Sequence, residues 1–157
     1  MTVFLDSTAA AELNGKPGKQ AIKAEYRGKV LVGGGAGFTG SVDLDLHFAN
    51  AEPNANRWDY GVGFSHGNEF ALWVESHPAS GSAEVAVILK KLDWLKSKLR
   101  SPGYEGLAAL TKAAEEKGEI PFRWLYKGKT SFRASGREAR QLAQKGMKLP
   151  ERSIRVG

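Results

Sequence analysis

The segment WDYGVGFSHGNEFALWVESH (58–77) decides how the chain folds. Its first part alternates, with Trp58, Tyr60, Val62 and Phe64 on one side and Asp59 on the other, the period of a strand. SHGN (65–68) is a tight connection carrying a glycine, so 69–77 returns as the antiparallel partner in a hairpin. On that second strand Ala71, Trp73, Glu75 and His77 share one side, while Phe70, Leu72 and Val74 take the other. Bulky apolar residues on both sides predict a central strand covered on both faces. The strand nevertheless ends in an acid and an imidazole, then breaks at Pro78 and the Ser/Gly cluster 80–82.

Working outward, SAEVAVILKKLDWLKSKLR (82–100) predicts a helix. Val85, Ile88, Leu92, Leu95 and Leu99 recur at helical spacing, and Lys90, Lys91, Lys96, Lys98 and Arg100 supply the polar surface. Ser80 or Ser82 is the expected cap, and Glu84 in the first turn suits the macrodipole. A second helix is expected over about 104–117, ending at Gly118. PFRWLYKGKTSFR (121–133) reads as a hairpin around Lys127-Gly128-Lys129. Ser135-Gly-Arg-Glu138 forms a capping box for a last helix that closes near Gly146, and the basic tail from about 147 is expected to be loosely held.

Upstream, DSTAAAEL (6–13) reads as a short helix capped by Asp6 or Ser7 and stopped by Gly15 and Pro17. Residues 18–28 lean toward helix. After the β-branched run KVLV and a glycine cluster, Val42, Leu44, Leu46 and Phe48 alternate with Asp43, Asp45 and His47 as a half-buried strand. AEPNANR (51–57) is a turn-rich loop. This order predicts an α+β (mixed α/β) fold: a single sheet of mostly antiparallel strands with flanking helices, in one domain spanning 1–157.

At 157 residues the chain suits one core. No apolar run approaches the roughly 20 residues that span a bilayer, so no membrane partner is expected. The N-terminal stretch lacks a basic n-region and an apolar core, which makes the cytoplasm the expected location. The absence of cysteine excludes disulfides, thiolate zinc sites and cysteine nucleophiles. The net charge is +6, and most of the surplus lies after residue 85. The stretch 41–84 instead carries Asp43, Asp45, Glu52, Asp59, Glu69, Glu75 and Glu84 against Arg57. An acidic site flanked by basic surface suits an enzyme that cleaves a polyanion, and the same pattern also serves solubility.

Several motifs fall away on their context. Gly35-Ala-Gly37-Phe-Thr-Gly40 fits G-x-G-x-x-G, but the next residues, SVDLDLHF, alternate like a strand and offer no helix N-terminus for a pyrophosphate. A glycine-rich β-turn is the better reading. Ser65-His66 and Ser76-His77 lie outside any nucleophile elbow. His47, His66 and His77 match no tight zinc spacing. The acids remain: Asp59 on the first strand of the hairpin and Glu75 on its partner. A carboxylate at the end of a covered strand is costly unless a positive group meets it. Mg²⁺, which takes one or two carboxylates and keeps waters, is one candidate; Lys90 or Lys91 from the following helix is another.

This layout resembles the core of the PD-(D/E)XK nuclease superfamily over residues 40–100: an acid on one strand, an acid-x-lysine on its partner, then a helix on the sheet. The resemblance implies a restriction-endonuclease-like core in which Asp59 and Glu75 bind Mg²⁺ at a scissile phosphate of nucleic acid. Trp58-Asp59 stands for the family's Pro-Asp, and His77 stands where the family has lysine. Either His77 acts as base or ligand, or Lys90 supplies the amine. Lys91, Arg123, Lys127, Lys129 and Arg133 are then the candidates for contact with the nucleic-acid backbone. The other class open to the sequence is a non-catalytic module that binds nucleic acid or an acidic protein through its basic C-terminal half.

Overall fold

Strand pairing in the expected hairpin organises the rest of the chain. In a computed structural model, which describes residues 2–130, 132 and 136–157, the elements run α1 (Val3–Ala10), α2 (Ala24–Arg27), β1 (Val30–Val32), β2 (Gly37–Asp43), α3 (Leu44–Phe48) and β3 (Tyr60–His66). They continue with β4 (Asn68–Ser76), α4 (Ser82–Leu99), α5 (Glu105–Glu116), β5 (Phe122–Leu125), α6 (Arg137–Gln144) and β6 (Ile154–Val156). The fold is α+β. Its main sheet has the order β2-β3-β4-β5. β3 runs antiparallel to β2 and β4, and β5 joins β4 in parallel after the chain crosses over through α4 and α5. The expected single sheet is accompanied by a second, two-stranded one, in which β1 and β6 pair in parallel.

Gly67 sits alone between β3 and β4 with φ of 82°, a left-handed conformation that glycine adopts without a Cβ clash. This turn fixes the register from His66↔Asn68 to Tyr60↔Val74. β4 lies between β3 and β5, and its two sides enter separate cores. Ala71 and Trp73 join Phe4, Val42, Leu92, Leu107 and Trp124 on one face. Phe70, Leu72 and Val74 join Tyr60, Val62, Phe64, Ile22 and Val156 on the other. Trp58 leaves the set it was expected to share with Tyr60 and packs in the first core, just ahead of the strand. α4 buries Val85, Ile88, Leu92 and Leu95, as its spacing predicts. Among the described residues no helix is long and apolar enough to cross a membrane.

Several local expectations give way. The alternation at 42–48 is strand only as far as Asp43. There the Asp43 carboxylate accepts a hydrogen bond from Leu46 N at 2.9 Å and caps α3, so an N-cap residue overrides the apparent period. α1 starts earlier than expected, capped by Thr2, and the Glu69 carboxylate on β4 accepts from Val3 N and Phe4 N at 2.9 and 3.0 Å. Only Ala24–Arg27 of 18–28 is helical. Gly81 occupies the N-cap of α4, with no side-chain cap from Ser80 or Ser82.

Of the hairpin expected at 121–133, the first arm is the strand β5. The far edge of β5 is taken by the tail: Tyr126 N donates to Glu151 O, Glu151 N donates to Trp124 O, and Phe122 bridges Met147 in parallel. Ser131 and Arg133 of the expected return arm, and Ser135 of the capping box, lie outside the described residues. The tail is accordingly pinned, with Met147, Ile154 and Val156 buried.

Close packing across the sheet leaves no room at Gly61, where an added Cβ would stand 2.5 Å from the Trp73 ring. Gly61→Ala is therefore expected to lower stability by about 1–3 kcal/mol, read from the urea midpoint. Gly28→Ala, which meets nothing within 4 Å, is expected to leave the midpoint nearly unchanged.

Candidate functional site

The register of β3 and β4 places Asp59, which immediately precedes Tyr60, across from Glu75, which follows Val74. The two acids are laced together through each other's strands. Asp59 N donates to Glu75 Oε1 at 3.0 Å, while Asp59 Oδ2 accepts from Ser76 N at 3.0 Å and Ser76 Oγ at 2.8 Å. Glu75 is fully buried. Its remaining oxygen, Oε2, accepts from Lys91 Nζ at 2.6 Å. Asp59 Oδ1 takes no hydrogen bond among the described residues.

His77 follows one residue past the end of β4, held by the hydrogen bond from its own N–H to Leu125 O. Its Nε2 lies 2.5 Å from Glu84 Oε2 in the first turn of α4, and its Nδ1 lies 3.9 Å from Glu75 Oε2. The first is a close contact between imidazole and carboxylate, and the second is too long to be a hydrogen bond. The Nδ1 edge of the ring therefore lies on the Glu75 side.

Burial pushes the Glu75 carboxyl up to about 8, and the nearby Asp59 charge adds to the rise. The Lys91 ammonium and the Asp59 amide oppose this without cancelling it. Burial also raises Asp59, against the hydrogen bonds from Ser76. The site thus holds negative charge that two hydrogen-bonded acids share poorly, a condition that favours a further cation or a retained proton.

Of the residues expected at the site, Asp59, Glu75 and His77 come together. Lys90 does not join them. It is exposed on α4, and Lys91 takes the place beside Glu75. Helix geometry explains the choice, because Lys91 lies three residues after Ile88 and four before Leu95, at the edge of the buried stripe, whereas Lys90 is turned away. Lys91 is consequently engaged by a carboxylate rather than available to a nucleic-acid backbone.

Arg123 is also removed from the expected surface. It is 3% exposed and held by Glu119 at 3.4 Å, Glu151 at 3.2 Å and Ile120 O at 2.6 Å. Lys127 and Lys129 are exposed, with Lys127 paired to Glu25 at 2.9 Å. Arg133 lies outside the described residues. The sequence reading missed Ser76 and the link from Glu84 to His77. The short Pro78–Gly81 connection was the available signal, since it brings the first turn of α4 close to the strand end.

Among the described residues, no group of three or more histidine or acidic side chains is disposed to hold a metal ion. Two carboxylates with waters remain sufficient for Mg²⁺, which is commonly held that way. Comparison with known proteins gives no further guide: no family model, no curated protein and no solved structure matches the chain significantly.

The raised Glu75 pKa carries a stability signature. Between its ordinary 4.5 and about 8, the folded chain keeps a proton that the unfolded chain has released, so stability falls as pH rises. The slope from this one group reaches at most roughly 1.4 kcal/mol per pH unit. Urea unfolding at pH 5, 6.5 and 8 is expected to show this decline, and Glu75→Gln is expected to flatten it.

Proposed function

We propose that the protein is a Mg²⁺-dependent phosphodiesterase acting on nucleic acid, with the core of a PD-(D/E)XK-like nuclease. The observation that carries this reading is the convergence of Asp59 and Glu75 at one end of the sheet, with the Lys91 amine delivered to Glu75 by the next helix. The order of an antiparallel β2-β3-β4 meander, a crossover and the parallel strand β5 also supports it. Lys91 from the helix takes the place of the lysine missing from the strand at His77.

The residues fit a hard cation through Asp59 Oδ1, which takes no hydrogen bond among the described residues, with Glu75 joining once the cation displaces its proton and Lys91 shifts from Oε2. When bound there, Mg²⁺ would polarise the scissile phosphate and acidify a water. Hydrolysis forms a bond from the water oxygen to phosphorus and breaks the bond from phosphorus to one ester oxygen. One water proton must leave, and the departing oxygen gains one from solvent water. His77 is held by Glu84 with Nδ1 facing the acids, and this nitrogen accepts the proton. The Lys91 ammonium balances Glu75 and keeps its carboxylate oriented. Exposed Lys127 and Lys129 meet the substrate's phosphates.

A second reading draws on a different feature of the same site. Both Glu75 oxygens already have protein partners, an amide and an ammonium, as a purely structural ion pair would. The chain would then be a non-catalytic binding module that uses its basic surface, and its nucleic-acid affinity would be salt-sensitive but independent of metal.

Cleavage assays on single- and double-stranded DNA and RNA with Mg²⁺ or EDTA separate the two. On the enzyme reading, Asp59→Ala and Glu75→Ala abolish cleavage with the fold retained by circular dichroism. His77→Ala slows cleavage by roughly 10²–10⁴-fold. Lys91→Ala impairs cleavage, while Lys90→Ala leaves it near wild type. Mg²⁺-dependent cleavage that survives both acid substitutions would refute the site; binding without cleavage, equal in wild type and acid variants, would establish the second reading.

A further inference from the structure

A small concavity of about 200 Å³ opens beside His77, lined by Tyr26, His77, Pro78, Leu125 and Lys127. Two ties place it next to the acids. Leu125 is the β5 partner of Ser76, whose hydroxyl donates to Asp59, and His77 Nδ1 reaches toward Glu75. The lining divides by chemistry. Tyr26 and His77 contribute aromatic rings, Pro78 presents apolar surface above the buried Leu125, and the Lys127 ammonium lies 4.8 Å from the centre of the Tyr26 ring. Outside it, Arg152 donates to Gly128 O and carries a further positive charge to the same lip.

We infer that this concavity holds one unpaired nucleobase of a nucleic-acid strand, with Lys127 on the adjoining phosphate. The inference rests on the nuclease reading for the nature of the polymer and extends it to the form of the substrate. A volume of about 200 Å³ admits one flat ring system and is too small for a base pair. The two rings beside Pro78 suit stacking, which accepts any base because each has a π face, once Lys127 swings off the Tyr26 ring that it covers. The cation at the wall suits phosphate. The exposed pair of Lys127 with Glu25 is weakly held, as surface pairs are, and yields readily to a phosphate. A base seated here must be unstacked from its neighbours, so single strands, frayed ends or flipped nucleotides bind in preference to intact duplex.

The test measures fluorescence anisotropy of labelled single-stranded and duplex oligonucleotides in EDTA at low salt, with Mg²⁺-dependent cleavage measured alongside. Tyr26→Leu keeps apolar bulk but removes the ring, and it is expected to weaken single-strand binding by at least about fivefold, the lower end for one stacked base. Tyr26→Phe is expected to bind like wild type. Lys127→Gln is expected to lower the salt slope by about 0.7, the loss of one phosphate contact on a single strand. Single-strand affinity indifferent to Tyr26→Leu, equal losses on duplex, or no nucleic-acid affinity at all would overturn the inference. If Tyr26-dependent binding persists while no cleavage depends on Asp59, the catalytic reading falls and the base site stands. If cleavage needs Asp59 but binding ignores Tyr26, the base site falls alone.

Discussion

A carboxylate placed at the buried end of a central strand constrains much of this structure. Glu75 has no access to solvent, and an ionised acid there must be met by donors or give up its charge. Three separate elements answer that demand. The hairpin turn sets the register that brings the Asp59 amide to Oε1, the crossover carries Lys91 to Oε2, and β5 closes the other flank of β4. Each follows from ordinary backbone chemistry. Together they place two acids, an amine and an imidazole at one end of the sheet.

The hairpin and the two-faced strand were legible because short-range patterns determine them. The alternation of Phe70, Leu72 and Val74 against Ala71 and Trp73 states directly which core each side chain enters. The helix 82–100 was equally legible, and the same stripe held the information that separates Lys91 from Lys90. What stayed hidden depends on partners distant in sequence. Nothing within 121–133 tells that its strand lies in parallel between β4 and the tail. At 42–48 the pattern was true to a strand, but one capping carboxylate was enough to turn the chain into helix after Asp43.

Charge was the least legible property of the site. Composition counts cations but does not say which of them already have partners. Arg123 was an attractive contact for a polyanion, yet it is enclosed between Glu119 and Glu151 and works as an internal tie between the segment after α5, β5 and the tail. Lys98 is similarly occupied by Glu52 and lies over the Phe48 and Trp94 rings. Part of the basic surplus in the C-terminal half therefore holds the fold together instead of facing a ligand.

The parallel ribbon of β1 and β6 has a bearing on how the molecule assembles. Val30 and Val32 pair with Ile154 and Val156, so strands far apart in sequence close the second core. Loop closure over that span must precede any reward from the contact, which slows the final step relative to hairpin formation. During synthesis the central meander has all its residues long before the ribbon has its second strand. Until then the face bearing Val30 and Phe64 lacks the cover of Ile154 and Val156, and in that interval the nascent chain is more open to association with other chains.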